Sequence, residues 1–142
     1  MERESERNSG QWTEARYRAF IISALRKATS RWGPKTLAKR NAKVSYGIYR
    51  CALCGTEGSP SAWRTYKSGK KKGQPKKVNN AVVDHIEPVV DPAVGFVSWD
   101  EYIDRMFCEA DNFHVLCHNC HEVKCAEERA IRTKRERRDK LK

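Results

Sequence analysis

Two C-x-x-C pairs, Cys51/Cys54 and Cys117/Cys120, constrain the fold of this chain more than any other feature in it. Each pair presents two thiolates from a tight turn. Two such turns complete a tetrahedral sulfur site for zinc, which is coordinatively closed and therefore structural rather than hydrolytic. The pairs are separated by 62 residues, so one metal held by all four would clamp the middle of the chain to its last third. Four unrelated buried thiols would not account for the repeated spacing. Cys108 and Cys125 are spare. Cys125 could substitute as a ligand, but both read as free thiols.

A metal cross-link suits a chain of this makeup. Its 142 residues are 39% hydrophobic, enough for one small core that zinc would supplement. The length predicts a basic helical arm at 1–45 and a single domain at 46–142. No apolar run approaches the roughly 20 residues of a membrane span. The N-terminus lacks the apolar core of a signal peptide. The expected setting is therefore cytoplasmic, with no membrane partner, where reduced cysteines favour metal over disulfides. The net charge of +11 points to a polyanion. That charge is segregated: residues 1–50 carry +8, 51–77 carry +6, 78–128 carry −9 and 129–142 carry +6. An acidic segment flanked by basic ones suits a cation-dependent site held against phosphates.

Residues 1–11 read as polar and disordered. Thr13 caps a predicted helix, with Trp12 and Tyr17 as a hydrophobic staple. Tyr17, Phe20, Ile21, Ala24, Leu25, Ala28 and Trp32 form its apolar stripe, and Gly33-Pro34 stops it. Its basic residues are either a solvated face or a surface for DNA backbone. Tyr46, Ile48 and Tyr49 predict a short strand into the first cysteine pair. Residues 67–77 read as a flexible basic loop in which Lys67, Lys70, Lys71, Lys72, Lys76 and Lys77 either solubilise a hairpin tip or contact phosphates without sequence readout. A strand is expected over 78–86. Ser98 to Glu101 is a capping box opening a helix whose apolar face is core. Residues 111–116 lead into the second pair, and a charged helix runs from about His118 to the C-terminus.

Beside the cysteines lie Asp84, His85, Asn112 and His121. Asp84 and His121 offer two ligands for a harder cation such as Mg²⁺ or Mn²⁺, with open positions for phosphate oxygen and water. His85, left off the metal, could take a proton from that water. Adjacent residues on an ideal strand point to opposite faces, so Asp84 and His85 share a site only where the strand ends or twists. His114 and His118 are rival metal ligands, and Lys124 could touch phosphate.

D-H-I at 84–86, Asn112, and L-C-x-x-C-H-x-x-K at 116–124 resemble the HNH nucleases of the ββα-metal fold. W-T-E-A-R at 12–16, the A-L-R helix and V-D-P-A-V-G-F-V-S-W-D at 90–100 are similar to phage-encoded members over most of the chain. The resemblance implies an α+β fold: a small zinc-stabilised ββα-metal core with an N-terminal amphipathic helix and a charged C-terminal helix. It implies His85 as general base, Asp84 and His121 as ligands of one catalytic ion, Asn112 orienting the loop of the base, and Cys51, Cys54, Cys117 and Cys120 as structural zinc ligands. The lysine-rich stretch at 67–77 matches no feature of that family.

The function expected is a metal-dependent endonuclease that nicks or cuts double-stranded DNA, as a monomer or weak dimer. Among phage relatives, the packaging machinery is a partner to consider, and homing into a neighbouring locus is the other role. The competing reading is a zinc-stabilised DNA-binding module with a silent site. RNA cleavage is disfavoured because no aromatic stacking platform stands out.

Overall fold

The computed structural model describes residues 7–142. The described residues fall into two compact units, divided between Trp32 and Gly33. The chain is α+β, with four α-helices and small antiparallel sheets among the described residues.

In the first unit, helix α1 spans Glu14–Ala28, and the Thr13 side chain accepts a hydrogen bond from the Arg16 N–H as its cap. Residues 7–11, expected to be disordered, instead form a turn closed by an Arg7–Trp12 bridge, and Arg7 pairs with Glu14 at 3.1 Å. Residues 1–6 lie outside the described part. The Trp12 ring packs on Phe20 at 5.1 Å, while the Arg7 guanidinium lies over Tyr17. The expected staple residue is thus covered by a cation, and the aromatic contact falls one turn later. No α1 residue is buried.

The second unit opens with a helix that the sequence reading lacked, α2 at Gly33–Asn41. Helix α1 ends at Ala28, so Trp32 lies outside it and Gly33-Pro34 is not its stop. Proline in a first helical turn sacrifices no hydrogen bond and presets φ, so that pair instead starts α2. Strands β1 (Lys43–Ser45), β2 (Ile48–Arg50) and β3 (Glu57–Gly58) form one antiparallel sheet. Strands β4 (Ser61–Thr65) and β5 (Pro75–Asn79) form a hairpin. The strand expected over 78–86 is broken after Asn79. There the Asn79 side chain accepts from the Ala81 N–H, and β6 begins afresh at Val82–His85.

Helix α3 (Trp99–Met106) starts at Ser98, whose hydroxyl accepts from the Glu101 N–H at 3.2 Å. Arg105 on α3 donates from Nε and Nη2 to the Pro88 carbonyl, which ties this helix to the chain leaving β6. Strand β7 (Phe113–Leu116) pairs antiparallel with β6, with Val83 opposite Val115, Asp84 opposite His114 and His85 opposite Phe113. Helix α4 runs His118–Lys140, and both α2 and α4 contact the β6–β7 pair. Leu116, Val115, Phe113, Met106 and Tyr102 are buried around that pair, with Leu116 wholly enclosed. The last turns of α4 are anchored. Arg135 and Arg138 donate to the carbonyls of Pro92 and Ala93.

Candidate functional site

The four cysteines come together from two turns. Cys51 follows β2, where the Cys51 N–H donates to the Thr56 carbonyl and the Gly55 N–H returns to the Cys51 carbonyl. Gly55 has φ +75°, a left-handed conformation glycine adopts without strain. Cys117 caps α4 and accepts from the Cys120 N–H. The Ala52 N–H donates to the Val115 carbonyl at 2.8 Å, which aligns the first turn on β7. All four sulfurs lie within 4.8 Å of one another, and Cys54 Sγ and Cys117 Sγ are 3.8 Å apart. Zinc–sulfur bonds of about 2.3 Å give a tetrahedron with edges of about 3.8 Å.

The electrostatics also call for a cation. Burial opposes ionisation of Cys51, but N–H groups of Cys54, Cys117 and Leu53 outweigh it and lower the thiol to about 6. Cys54 is lowered mainly by the Thr56 hydroxyl. Cys120 is pushed up to about 12, first by its hydrogen bond with Cys117, then by burial and the other two sulfurs. Four thiolates this close repel, and a divalent ion is what lets all of them ionise. The donor set and spacing fit a zinc ion. This cluster contains neither Cys108, past the end of α3, nor Cys125 on α4.

A second group forms where β6 meets the first turns of α4. His114 Nε2 donates to Asp84 Oδ2 at 3.1 Å. Lys124 Nζ donates to the same oxygen and to the His85 carbonyl at 2.6 Å. Glu128 Oε1 lies 3.1 Å from the same ammonium, an ion pair short of hydrogen-bond geometry. Burial disfavours the Lys124 charge, but Asp84 and Glu128 overcome it and hold its pKa above the usual lysine range. Lys124, expected to touch phosphate, is turned inward and only 17% exposed.

Asp84 Oδ1 faces His121 Nε2 at 3.8 Å. That is too long for a hydrogen bond, yet within the roughly 4.2 Å that two bonds of about 2.1 Å to one ion span. Cys125 Sγ stands 3.5 Å from the same His121 Nε2. Burial first, then Glu128 and Asp84, raise the Cys125 thiol above its ordinary range.

His85 is held differently. Its Nε2 donates to the Met106 carbonyl at 2.8 Å, at the open C-terminal end of α3, and its ring packs on Phe113 at 4.7 Å. A carbonyl only accepts, so the proton sits on Nε2, and Nδ1 carries the lone pair in the neutral ring. These partners are distinct from those of the Asp84 carboxylate, whose contacts are His114, His121 and Lys124. Asn112 closes the turn that follows: its carbonyl accepts from the Ile86 N–H and its side chain from the Glu87 N–H at 3.1 Å. His118 pairs with Glu122 at 3.1 Å and is not part of either group.

The structure therefore gathers Asp84, His114, His121 and Lys124, and places His85 and Asn112 together at the end of β6. The sequence signal for His114 was its alternation with Phe113 and Val115. Glu128 had none beyond lying four residues after Lys124. No helix among the described residues is long and apolar enough to cross a membrane. Comparison of the chain with protein-family models, with curated proteins and with solved structures found no match.

Proposed function

We propose that the second unit is a divalent-cation-dependent endonuclease of the HNH type, acting on double-stranded DNA. The observation that carries this reading is the approach of Asp84 Oδ1 and His121 Nε2 to 3.8 Å. One comes from the β6–β7 pair, the other from the first turn of α4 behind the thiolate site. Asp84 and His121 would hold a Mg²⁺ or Mn²⁺ ion, which when bound would polarise the phosphate and stabilise the leaving oxygen.

The remaining chemistry belongs to the chain. The Met106 carbonyl fixes the His85 tautomer with Nδ1 free. Nδ1 accepts a proton from a water whose oxygen bonds to phosphorus. The bond from phosphorus to the leaving oxygen breaks, and that oxygen is protonated from solvent. Asn112 holds the turn after His85, so its role is positioning. Net positive charge brings the DNA, and the closed sulfur site keeps α4 in register.

The alternative, a silent DNA-binding module, is favoured by two observations. Lys124 already neutralises Asp84, and the His85 ring is bonded to the Met106 carbonyl rather than to any of the groups around Asp84. Supercoiled plasmid incubated with Mg²⁺ or Mn²⁺ separates the readings. The wild type should nick it, while His85→Ala should not and should bind DNA as well. Plasmid left intact by wild type under both cations, with binding retained, would establish the silent module.

A further inference from the structure

The β4–β5 hairpin belongs to neither site, and the observations reach furthest there. We infer that it is a docking arm that lies in the major groove of duplex DNA, with Trp63 toward the base edges and its lysines on the flanking phosphates. This rests on the DNA reading above but not on cleavage.

Residues 61–79 hold Arg64 and six lysines and no acidic residue. The register sorts them. Residues directly opposite share a face, so Trp63 with Lys77, flanked by Ser61, Thr65 and Asn79, make the outer face, while Ala62, Arg64, Lys76 and Val78 make the inner one. The inner face turns to the body: Val78 is buried and Arg64 Nη2 donates to Asn119 Oδ1 at 3.2 Å. The outer face meets solvent. Trp63 is 66% exposed, whereas the other three tryptophans are half-buried. An indole left open on a uniformly cationic ribbon fits a polyanion that also offers flat apolar surface.

The arm is also built to hold its aim. The turn beyond Thr65, expected to be a flexible loop, is hydrogen-bonded: the Tyr66 N–H donates to Gln74, the Gly73 N–H to Tyr66 and the Lys72 N–H to Gly69. Gly69 and Gly73 take φ of +79° and +87° there. Lys71 and Lys76 lie over the Tyr66 ring. At the root, the Asn80 N–H donates to Pro60, and its side-chain oxygen accepts from the His118 N–H at 2.9 Å. That N–H opens α4, one turn before His121, so the arm's root is fixed to the helix that bears the cation ligand. Strands about 4.8 Å apart form a ribbon that the major groove, about 12 Å wide, admits. A single exposed indole does not provide the succession of rings that a single strand stacks on.

The test uses the full chain and a fluorescently labelled 20-bp duplex without divalent cation, followed by anisotropy across a salt series. Lys67→Gln, Lys70→Gln, Lys71→Gln and Lys72→Gln together should reduce the slope of log K against log salt by about 3 to 4, since each phosphate contact contributes about 0.9. Trp63→Ala should weaken duplex binding roughly tenfold and leave the slope unchanged. In wild type, but not in Trp63→Phe, duplex should quench the exposed tryptophan emission. A slope change under 1, or no loss with Trp63→Ala, overturns the arm. Equal losses toward heparin and a single-stranded 20-mer would reveal a general polyanion contact and overturn the groove assignment. Competition by a minor-groove ligand such as netropsin would do the same. Because binding is read without cation, an arm that fails while plasmid is still cut leaves the nuclease reading intact. An arm that holds while plasmid survives refutes only cleavage.

Discussion

Removing the metal from the four-cysteine site should unfold the second unit. The sulfurs join the end of β2 to the start of α4, where the main backbone tie is the Ala52–Val115 hydrogen bond. The large buried side chains in this unit are Val78, Tyr102, Met106, Phe113, Val115 and Leu116. At about 1.5–3 kcal/mol each, their burial contributes on the order of 10 kcal/mol before any ordering entropy is subtracted. A structural zinc contributes about 10–16 kcal/mol, as much as that burial and as much as the whole stability of a typical domain. The expected result is a single zinc per chain by atomic emission. Chelation under reducing conditions should abolish the near-UV circular dichroism of the Phe96–Trp99–Tyr102 cluster, and added Zn²⁺ should restore it. Cobalt in place of zinc should give the thiolate charge-transfer bands of a tetrahedral sulfur site. Near-UV signal and melting temperature unchanged in chain shown to be metal-free would refute the argument.

Other perturbations have defined outcomes. Lys124→Met leaves Asp84 and Glu128 without their shared cation; both are partly exposed, so the loss should be about 2 kcal/mol by urea denaturation, below the range for fully buried pairs. Because the Lys124 pKa is raised, its contribution is complete below 10.5 and is lost as pH rises through the folded value. Alkaline titration of stability should therefore fall more steeply in wild type than in Lys124→Met. Asn112→Ala should cost about 1 kcal/mol in a thermal melt and slow plasmid nicking while leaving duplex affinity unchanged, since it removes the Glu87 hydrogen bond that shapes the turn after His85. Gly95→Ala should destabilise by about 1–3 kcal/mol, because φ there is +91° and the new methyl would sit 2.7 Å from the Arg135 guanidinium. Equal stability of that variant would refute the backbone strain assigned to this position.

Much of this could be read from local chemistry. The cysteine spacing gave the thiolate cluster, and Ser98 and Thr13 gave their caps. What escaped depended on partners distant in sequence. Gly33-Pro34 looks the same whether it ends one helix or begins the next, and only the seat of α2 against β6–β7 decides. The split after Asn79 is accompanied by Asn80 reaching His118, 38 residues away. Lys124 carries a charge that composition assigns to the surface; the acceptors that hold it inside come from β6. His85 and Asp84 are neighbours in the chain, but their environments differ because one side chain bonds the end of α3 and the other meets α4.

Helix α4 is a single element of 23 residues, about 35 Å long at 1.5 Å per residue. Cys120, His121 and Lys124 lie at one end, and Arg135 and Arg138 hold Pro92 and Ala93 from the other. Each residue advances a helix by about 100°. One alanine inserted between Glu128 and Arg129 would leave the sulfur end seated and swing both arginines more than a quarter turn off their carbonyls. The segment before α3 would come loose although none of its own residues had changed. Phase along this rod, as much as the chemistry at either tip, is therefore under constraint.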